Sequence, residues 1–82
     1  MKWWQKIKFN HKYSIVMFKV IILNETSGRE TIIRKFDDIF DAYDFAADLY
    51  ETITGEKGYY ELDESFGFEM GDKVMFVRKY NK

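Results

Sequence analysis

The chain lacks cysteine and proline and contains a single histidine, His11. Without cysteine it can form no disulfide, no thiolate zinc site and no cysteine nucleophile. Because it has no proline, no low-complexity stretch and no repeat, nothing marks a linker within the 82 residues. Chains of this length form one domain, so the sequence predicts a single domain over residues 1–82.

Motifs for catalysis are also missing. His11 stands in a predicted turn without partners for a catalytic triad, and Ser14, Ser27 and Ser65 belong to no nucleophile motif. The chain contains no glycine-rich phosphate loop and no calcium-binding loop of the helix-loop-helix type. We therefore expect a protein that is not an enzyme and that uses no metal and no cofactor.

Apolar residues are abundant but form no long run. They make up 46% of the chain, which is enough for a dense small core and too much for a disordered chain. The apolar run over residues 14–23 is about half the length of a membrane-spanning helix, and Lys19 interrupts it. No small-residue cleavage site follows it. We therefore expect no transmembrane span, no signal peptide and a cytoplasmic location, in the host cytoplasm if a phage encodes the protein.

The first half of the chain has the pattern of a β-hairpin. Residues 13–23 are rich in Ile, Val and Phe on both faces, which favours a central strand. Residues 24–29 contain Thr, Ser and Gly and predict a turn. Residues 30–36 then return as the second strand of an antiparallel pair.

The last third of the chain has further strand patterns. Residues 59–62 and 66–70 are predicted to be short strands. Gly71 and Asp72 are typical of a two-residue hairpin turn, and they lead into a strand over residues 73–80. The sequence therefore predicts two or three strands after residue 58.

Residues 38–54 change to a helical period. Asp38 suits the N-cap position, and Gly55 suits the left-handed position that follows a helix. Apolar side chains recur at helical spacing on one broad face. They are Ile39, Ala42, Tyr43, Ala46, Leu49, Tyr50 and Ile53.

Together these elements predict an α+β fold of order ββαββ, with one helix packed on an antiparallel sheet of four to five strands. Residues 1–12 are either an additional edge strand or a basic arm, and a further C-terminal strand is also open. The expected core includes Ile15, Phe18, Val20, Ile22, Ile33, Ile39, Tyr43, Ala46, Tyr50, Leu62, Val74 and Phe76.

Charge is segregated along the chain, although the net charge is only −1. Residues 1–35 carry eight bases and two acids, residues 36–72 carry twelve acids and one base, and residues 73–82 carry four bases. A surface that serves solubility alone mixes both signs. Such segregation favours an electrostatic partner or a strong dipole within the fold.

The predicted helix carries a row of acids opposite its apolar face. Their spacing of 4, 3, 4 and 3 residues places them in one stripe, and like charges so spaced destabilise a helix. Helix stability therefore does not explain the row. We predict a partner-binding surface formed by Asp37, Asp41, Asp44, Asp48 and Glu51, flanked by Phe40 and Phe45. A merely solvated face and pairing with the basic N-terminal segment are the alternatives.

The charge pattern favours a small inhibitor or adaptor that binds a basic protein through an acidic, nucleic-acid-mimicking surface. As a class, the chain resembles the small inhibitors that phages and mobile elements use against host nucleases, although no diagnostic motif supports this. Direct nucleic-acid binding is not expected of the acidic half, because carboxylates repel phosphate. The alternative is a nucleic-acid or anionic-membrane binder that uses Lys2, Trp3, Trp4, Lys6, Lys8 and Lys12. The sequence is also compatible with a homodimer.

Overall fold

The computed structural model describes residues 16–81. Its elements are β1 (Val16–Asn24), β2 (Glu30–Phe36), α1 (Ile39–Thr54), β3 (Phe68–Met70) and β4 (Lys73–Asn81). The four strands form one antiparallel sheet in the order β2-β1-β4-β3, and α1 packs on one face of it. The predicted α+β fold with one helix on an antiparallel sheet is therefore confirmed.

Local interactions fix both ends of α1. The Asp38 carboxylate accepts hydrogen bonds from the backbone N–H groups of Phe40, at 2.8 Å, and Asp41, at 3.1 Å. At the other end, Gly55 adopts a φ of 77°, and its N–H donates to the Glu51 carbonyl at 2.8 Å. These bonds satisfy groups that the helix itself leaves unpaired. The predicted caps are confirmed.

The core lies between α1 and the facing side of the sheet. The helix contributes small side chains together with Tyr43, so its axis can come close to the strands. The central strands β1 and β4 supply the opposite layer, and β3 adds Phe68. The buried residues of this core are Phe18, Val20, Ala42, Tyr43, Ala46, Ala47, Phe68, Met75 and Val77.

The remaining alternate residues of the strands lie on the side of the sheet that faces away from α1. On β1 these include Lys19, Ile21 and Leu23, which lie opposite Arg78, Phe76 and Val74 of β4. Ile21 is 1% exposed, although it is not part of the core under α1. The sheet therefore buries an apolar side chain on each of its faces.

The face assignment of the last strand was wrong. Val74 and Phe76 were expected in the core, but the core residues of β4 are Met75 and Val77. Residues 74–77 are apolar without interruption, so the sequence does not show which alternate set faces inward. The pairing with β1 decides this, and a shift of one residue moves every side chain to the other face.

Two further expectations in the middle of the chain are corrected. Residues 59–62 form no strand, and Leu62 is 51% exposed rather than part of the core. Ile33 is 38% exposed, because it is the additional residue of a bulge at which Arg34 pairs with Val20 and Ile32 pairs with Ile21. A bulge twists an edge strand and interrupts the regular alternation of its side chains.

Several boundaries also shift. The strand predicted over residues 66–70 begins at Phe68, and the strand predicted over residues 73–80 extends to Asn81. The expectations for residues 1–12 and for Ile15 lie outside the described residues. Within residues 16–81, no helix is both long enough and apolar enough to span a membrane.

Candidate functional site

The helix places the predicted acidic residues on its outer side. Asp41, Asp44 and Asp48 are exposed, Glu51 is half-buried, and Asp37 is exposed just before the helix begins. The buried face of α1 comprises Ala42, Tyr43, Ala46 and Ala47 and lies opposite. We call the five carboxylates the acidic surface: Asp37, Asp41, Asp44, Asp48 and Glu51.

The acidic surface has no cationic partner within the described part of the chain. Only two salt bridges occur among residues 16–81, one between Lys73 and Asp72 and one between Arg78 and Glu30. Neither involves α1, and the last turn of α1 contains no base. The like charges therefore face water without an ion pair from residues 16–81. Pairing with the basic segment before Val16 concerns residues outside this range.

Asp44 differs from the other members of the acidic surface, because it fixes the loop that follows α1. Its carboxylate accepts a hydrogen bond from the Tyr60 hydroxyl at 2.8 Å. The Tyr60 ring stacks on Tyr43, with ring centroids 5.0 Å apart and planes inclined by 18°. The hydrogen bond to Asp44 and some burial raise the pKa of Tyr60 above its usual value. Asp44 thus contributes to structure as well as to surface charge.

The two aromatic residues beside the acidic surface have different surroundings. Phe45 is half-buried, lies 5.4 Å from Phe36 between ring centroids, and has the Arg34 guanidinium 5.5 Å from its ring. Phe40, in contrast, is 54% exposed. Of the two predicted anchors, Phe40 is therefore the more exposed one.

An apolar groove of about 720 Å³ lies at the N-terminal end of α1. Its apolar lining comes from β1, α1, β4 and the loop between α1 and β3. Phe40 and Leu62, both more than half exposed, belong to this lining. We call it the N-terminal groove, lined by Phe18, Asp37, Asp38, Ile39, Phe40, Tyr43, Leu62, Glu64, Val77 and Lys79.

Two acidic residues in the loop after α1, Asp63 and Glu64, affect the pKa of Tyr43 in the lining of the N-terminal groove. Burial, together with the negative charges of Asp63 and Glu64, raises the pKa of Tyr43, whose hydroxyl donates to the Asp63 carbonyl at 3.3 Å. The Asp63 carboxylate accepts hydrogen bonds from the Ser65 backbone N–H and hydroxyl, both at 3.0 Å. These bonds, the backbone bond first, lower the pKa of Asp63. The loop beside the groove therefore holds a carboxylate in its charged form.

The structure adds site residues that the sequence analysis missed. Leu62 was assigned to a buried strand, and Glu64 and Lys79 were assigned no role, yet all three line the N-terminal groove. Tyr60 was also missed as a partner of Asp44. One signal in the sequence indicated that Leu62 is exposed. It lies among four acidic residues, Glu61, Asp63, Glu64 and Glu69.

The alternative basic site, from Lys2 to Lys12, lies outside the described residues. Among residues 16–81, no three His, Cys, Asp or Glu side chains come together in an arrangement that could hold a metal ion. The chain matches no family model, and comparison with curated proteins and with solved structures finds no significant similarity.

Proposed function

We propose that the protein is a small non-enzymatic binding module, an inhibitor or adaptor, that presents its acidic surface to a basic protein. The observation that carries this proposal is the exposed row of carboxylates without an ion pair within residues 16–81. A basic cleft, such as the nucleic-acid channel of a nuclease, has the complementary charge. The spaced carboxylates would take the place of phosphates there.

The energetics of the helix support this proposal. Each pair of like charges three or four residues apart destabilises α1 by a few tenths of a kcal/mol. Asp48 and Glu51 also lie near the C-terminal end of α1, where the helix dipole disfavours anions. A cationic partner would relieve both costs, whereas water only screens them. Complementary charge would also speed association and exclude acidic partners.

Phe40 supplies the apolar part of the proposed interface. Interfaces gain much of their binding energy from a few large side chains that are buried on association and surrounded by polar groups. Phe40 is exposed and lies beside Asp41 and close to Asp37 in the sequence. Phe45, packed on Phe36 and covered by Arg34, serves the fold instead.

A charge reversal at Asp48 tests the proposal. Within residues 16–81 the Asp48 side chain makes no hydrogen bond or ion pair, whereas Asp44 bonds to Tyr60 and is therefore a poorer choice. We expect Asp48→Lys to keep or slightly raise the melting temperature, because it removes like-charge pairs, and to abolish binding of a basic partner identified by affinity capture. Calorimetry with that purified partner measures the affinity.

Glu25→Lys is the matched control. It changes the net charge by the same amount at an exposed turn residue away from α1, so binding should persist. Equal loss of affinity in both variants would show that only net charge matters and would contradict the proposal. Retention of the wild-type protein on DNA, RNA or anionic vesicles, unaffected by Asp48→Lys, would favour the alternative basic site instead.

A further inference from the structure

The N-terminal groove combines an apolar floor with exposed apolar walls. Phe18, Val77 and Tyr43 are buried residues of the core, so the floor is part of the packed interior. Phe40 on α1 and Leu62 on the following loop stand at the groove with 54% and 51% exposure. A volume of about 720 Å³ is within the range of sites that enclose small organic ligands or large side chains. The groove can therefore accept an apolar group.

Charge at the groove selects the kind of molecule that carries this apolar group. Its lining contains three carboxylates, from Asp37, Asp38 and Glu64, and one base, Lys79. Asp63 lies next to Glu64 with a lowered pKa and adds negative charge. An anionic ligand would be repelled, whereas cations beside the apolar group would be attracted.

The helix terminus does not offset this preference. The N-terminal end of a helix usually attracts anions, because its first N–H groups are unpaired. Here the Asp38 carboxylate already accepts from the N–H groups of Phe40 and Asp41. The position that an external phosphate or carboxylate would occupy is thus filled by a side chain of the protein itself.

We propose that the N-terminal groove binds one large apolar side chain of a basic peptide segment, with Lys or Arg on both sides of that side chain. The inference rests on the proposed function and deepens it, because it names the chemistry of the partner segment. The apolar side chain enters between Phe40 and Leu62, and the flanking cations lie against Asp37 and Glu64. The acidic surface then continues the contact along α1.

Two synthetic peptides of equal charge test this inference: acetyl-KRKWKRK-amide and acetyl-KRKSKRK-amide. They differ only in the central residue, so a difference in affinity reports on the apolar contact. We expect the Trp peptide to bind about tenfold more tightly, the effect of burying part of one large apolar side chain. A titration monitored by proton–nitrogen NMR should show chemical-shift changes of the backbone amides of Phe40 and Leu62.

Leu62→Ser should remove the preference for the Trp peptide, about a tenfold loss of affinity. Because Leu62 is half exposed in the folded protein, this variant should fold, and its melting temperature checks that it does. Ile53→Ser is the matched control, since Ile53 is 54% exposed near the opposite end of α1. It should bind both peptides as the wild type does.

The outcomes separate this inference from the proposed function. If both peptides bind equally and Asp48→Lys weakens both, the groove inference fails while the acidic surface retains its role. If neither peptide binds at millimolar concentration, the groove inference fails, while Asp48→Lys with the purified basic partner still tests the acidic surface separately. A preference for Trp that survives Leu62→Ser would overturn the groove assignment. So would a wild-type dimer in sedimentation that Leu62→Ser dissociates, because a second copy would then be the occupant.

Discussion

Arg78 on β4 binds Glu30 on β2 through both of its terminal nitrogens, across the intervening strand β1. Nη1 donates to Oε1 at 3.2 Å and Nη2 to Oε2 at 3.1 Å. Arg78 pairs with Lys19 and Glu30 pairs with Leu23, so the ion pair crosses β1 at the level of Ile21. We infer that it covers Ile21, which is 1% exposed on this face of the sheet. This bidentate ion pair also links the edge strand β2 to β4.

The Arg78–Glu30 pair should make a measurable but small contribution to stability. Both side chains remain 41–46% exposed, so solvent screens them, and we expect a coupling free energy of about 0.5–1 kcal/mol. A double-mutant cycle with Glu30→Gln and Arg78→Met, followed by urea unfolding, measures it. The coupling free energy should decrease in 1 M salt, because the Debye length there is only about 3 Å. The adjacent Lys73–Asp72 pair should give almost none, and equal coupling in both pairs would contradict the expectation.

Two identical substitutions on β4 test which of its faces is buried. Val77→Ala should cost about 2 kcal/mol of unfolding free energy, because it removes two buried methyl groups and leaves a cavity under α1. Val74→Ala, on the other face and half-buried, should cost about 1 kcal/mol or less. Urea unfolding of both variants measures the difference. A larger cost at Val74 would reverse the face assignment.

Gly58 should not tolerate a side chain, because the loop passes close to α1. A Cβ atom there would lie 3.0 Å from the Ala47 carbonyl oxygen and 3.2 Å from the Ala47 Cα. Its φ is not positive, so the effect of a substitution is steric. Since helix backbone cannot easily move, we expect Gly58→Ala to cost about 1–3 kcal/mol in thermal or urea unfolding. Lys57→Ala at the exposed neighbouring position is the control and should change stability little.

Asp44→Asn should bring the pKa of Tyr60 back toward its usual value of 10.0, because the hydrogen bond to the charged carboxylate is the main cause of its rise. Carbon NMR of labelled tyrosine measures that pKa. The folded protein holds the neutral phenol more firmly than the unfolded chain does. Tyr60 therefore contributes its full stabilisation of the folded protein below pH 10. This contribution is lost as the pH rises through the raised pKa of Tyr60.

The alkaline stability profile provides a second readout of the same contact. With Asp44→Asn, the part of the loss above pH 10 that is due to Tyr60 should become smaller, because burial is the one cause of the raised pKa that remains. Asp48→Asn is the control, since Asp48 is not among the causes of the raised Tyr60 pKa, and it should leave that pKa in place. An equal fall of the pKa in both variants would assign the shift to general surface charge rather than to the hydrogen bond.

Local sequence determined the features whose physical causes are local. Asp38 and Gly55 define α1 because the bonds they make join residues at most four positions apart. The turn at Gly71 is set in the same way, by a positive φ of 68° that glycine adopts without strain. The acidic row is likewise a consequence of helical spacing alone. The sequence could therefore predict the ββαββ order and the placement of the acidic surface.

Contacts between distant residues decided the remainder. The apolar run at residues 74–77 suits either face, and only its pairing with β1 directs Met75 and Val77 inward. Leu62 has the local pattern of a strand residue, but Tyr60 is held on α1 by Tyr43 and Asp44, and Leu62 remains half exposed at the N-terminal groove. The sequence determined which residues are apolar or charged. The tertiary structure decided which of them water can reach, because burial depends on neighbours that lie far away in the chain.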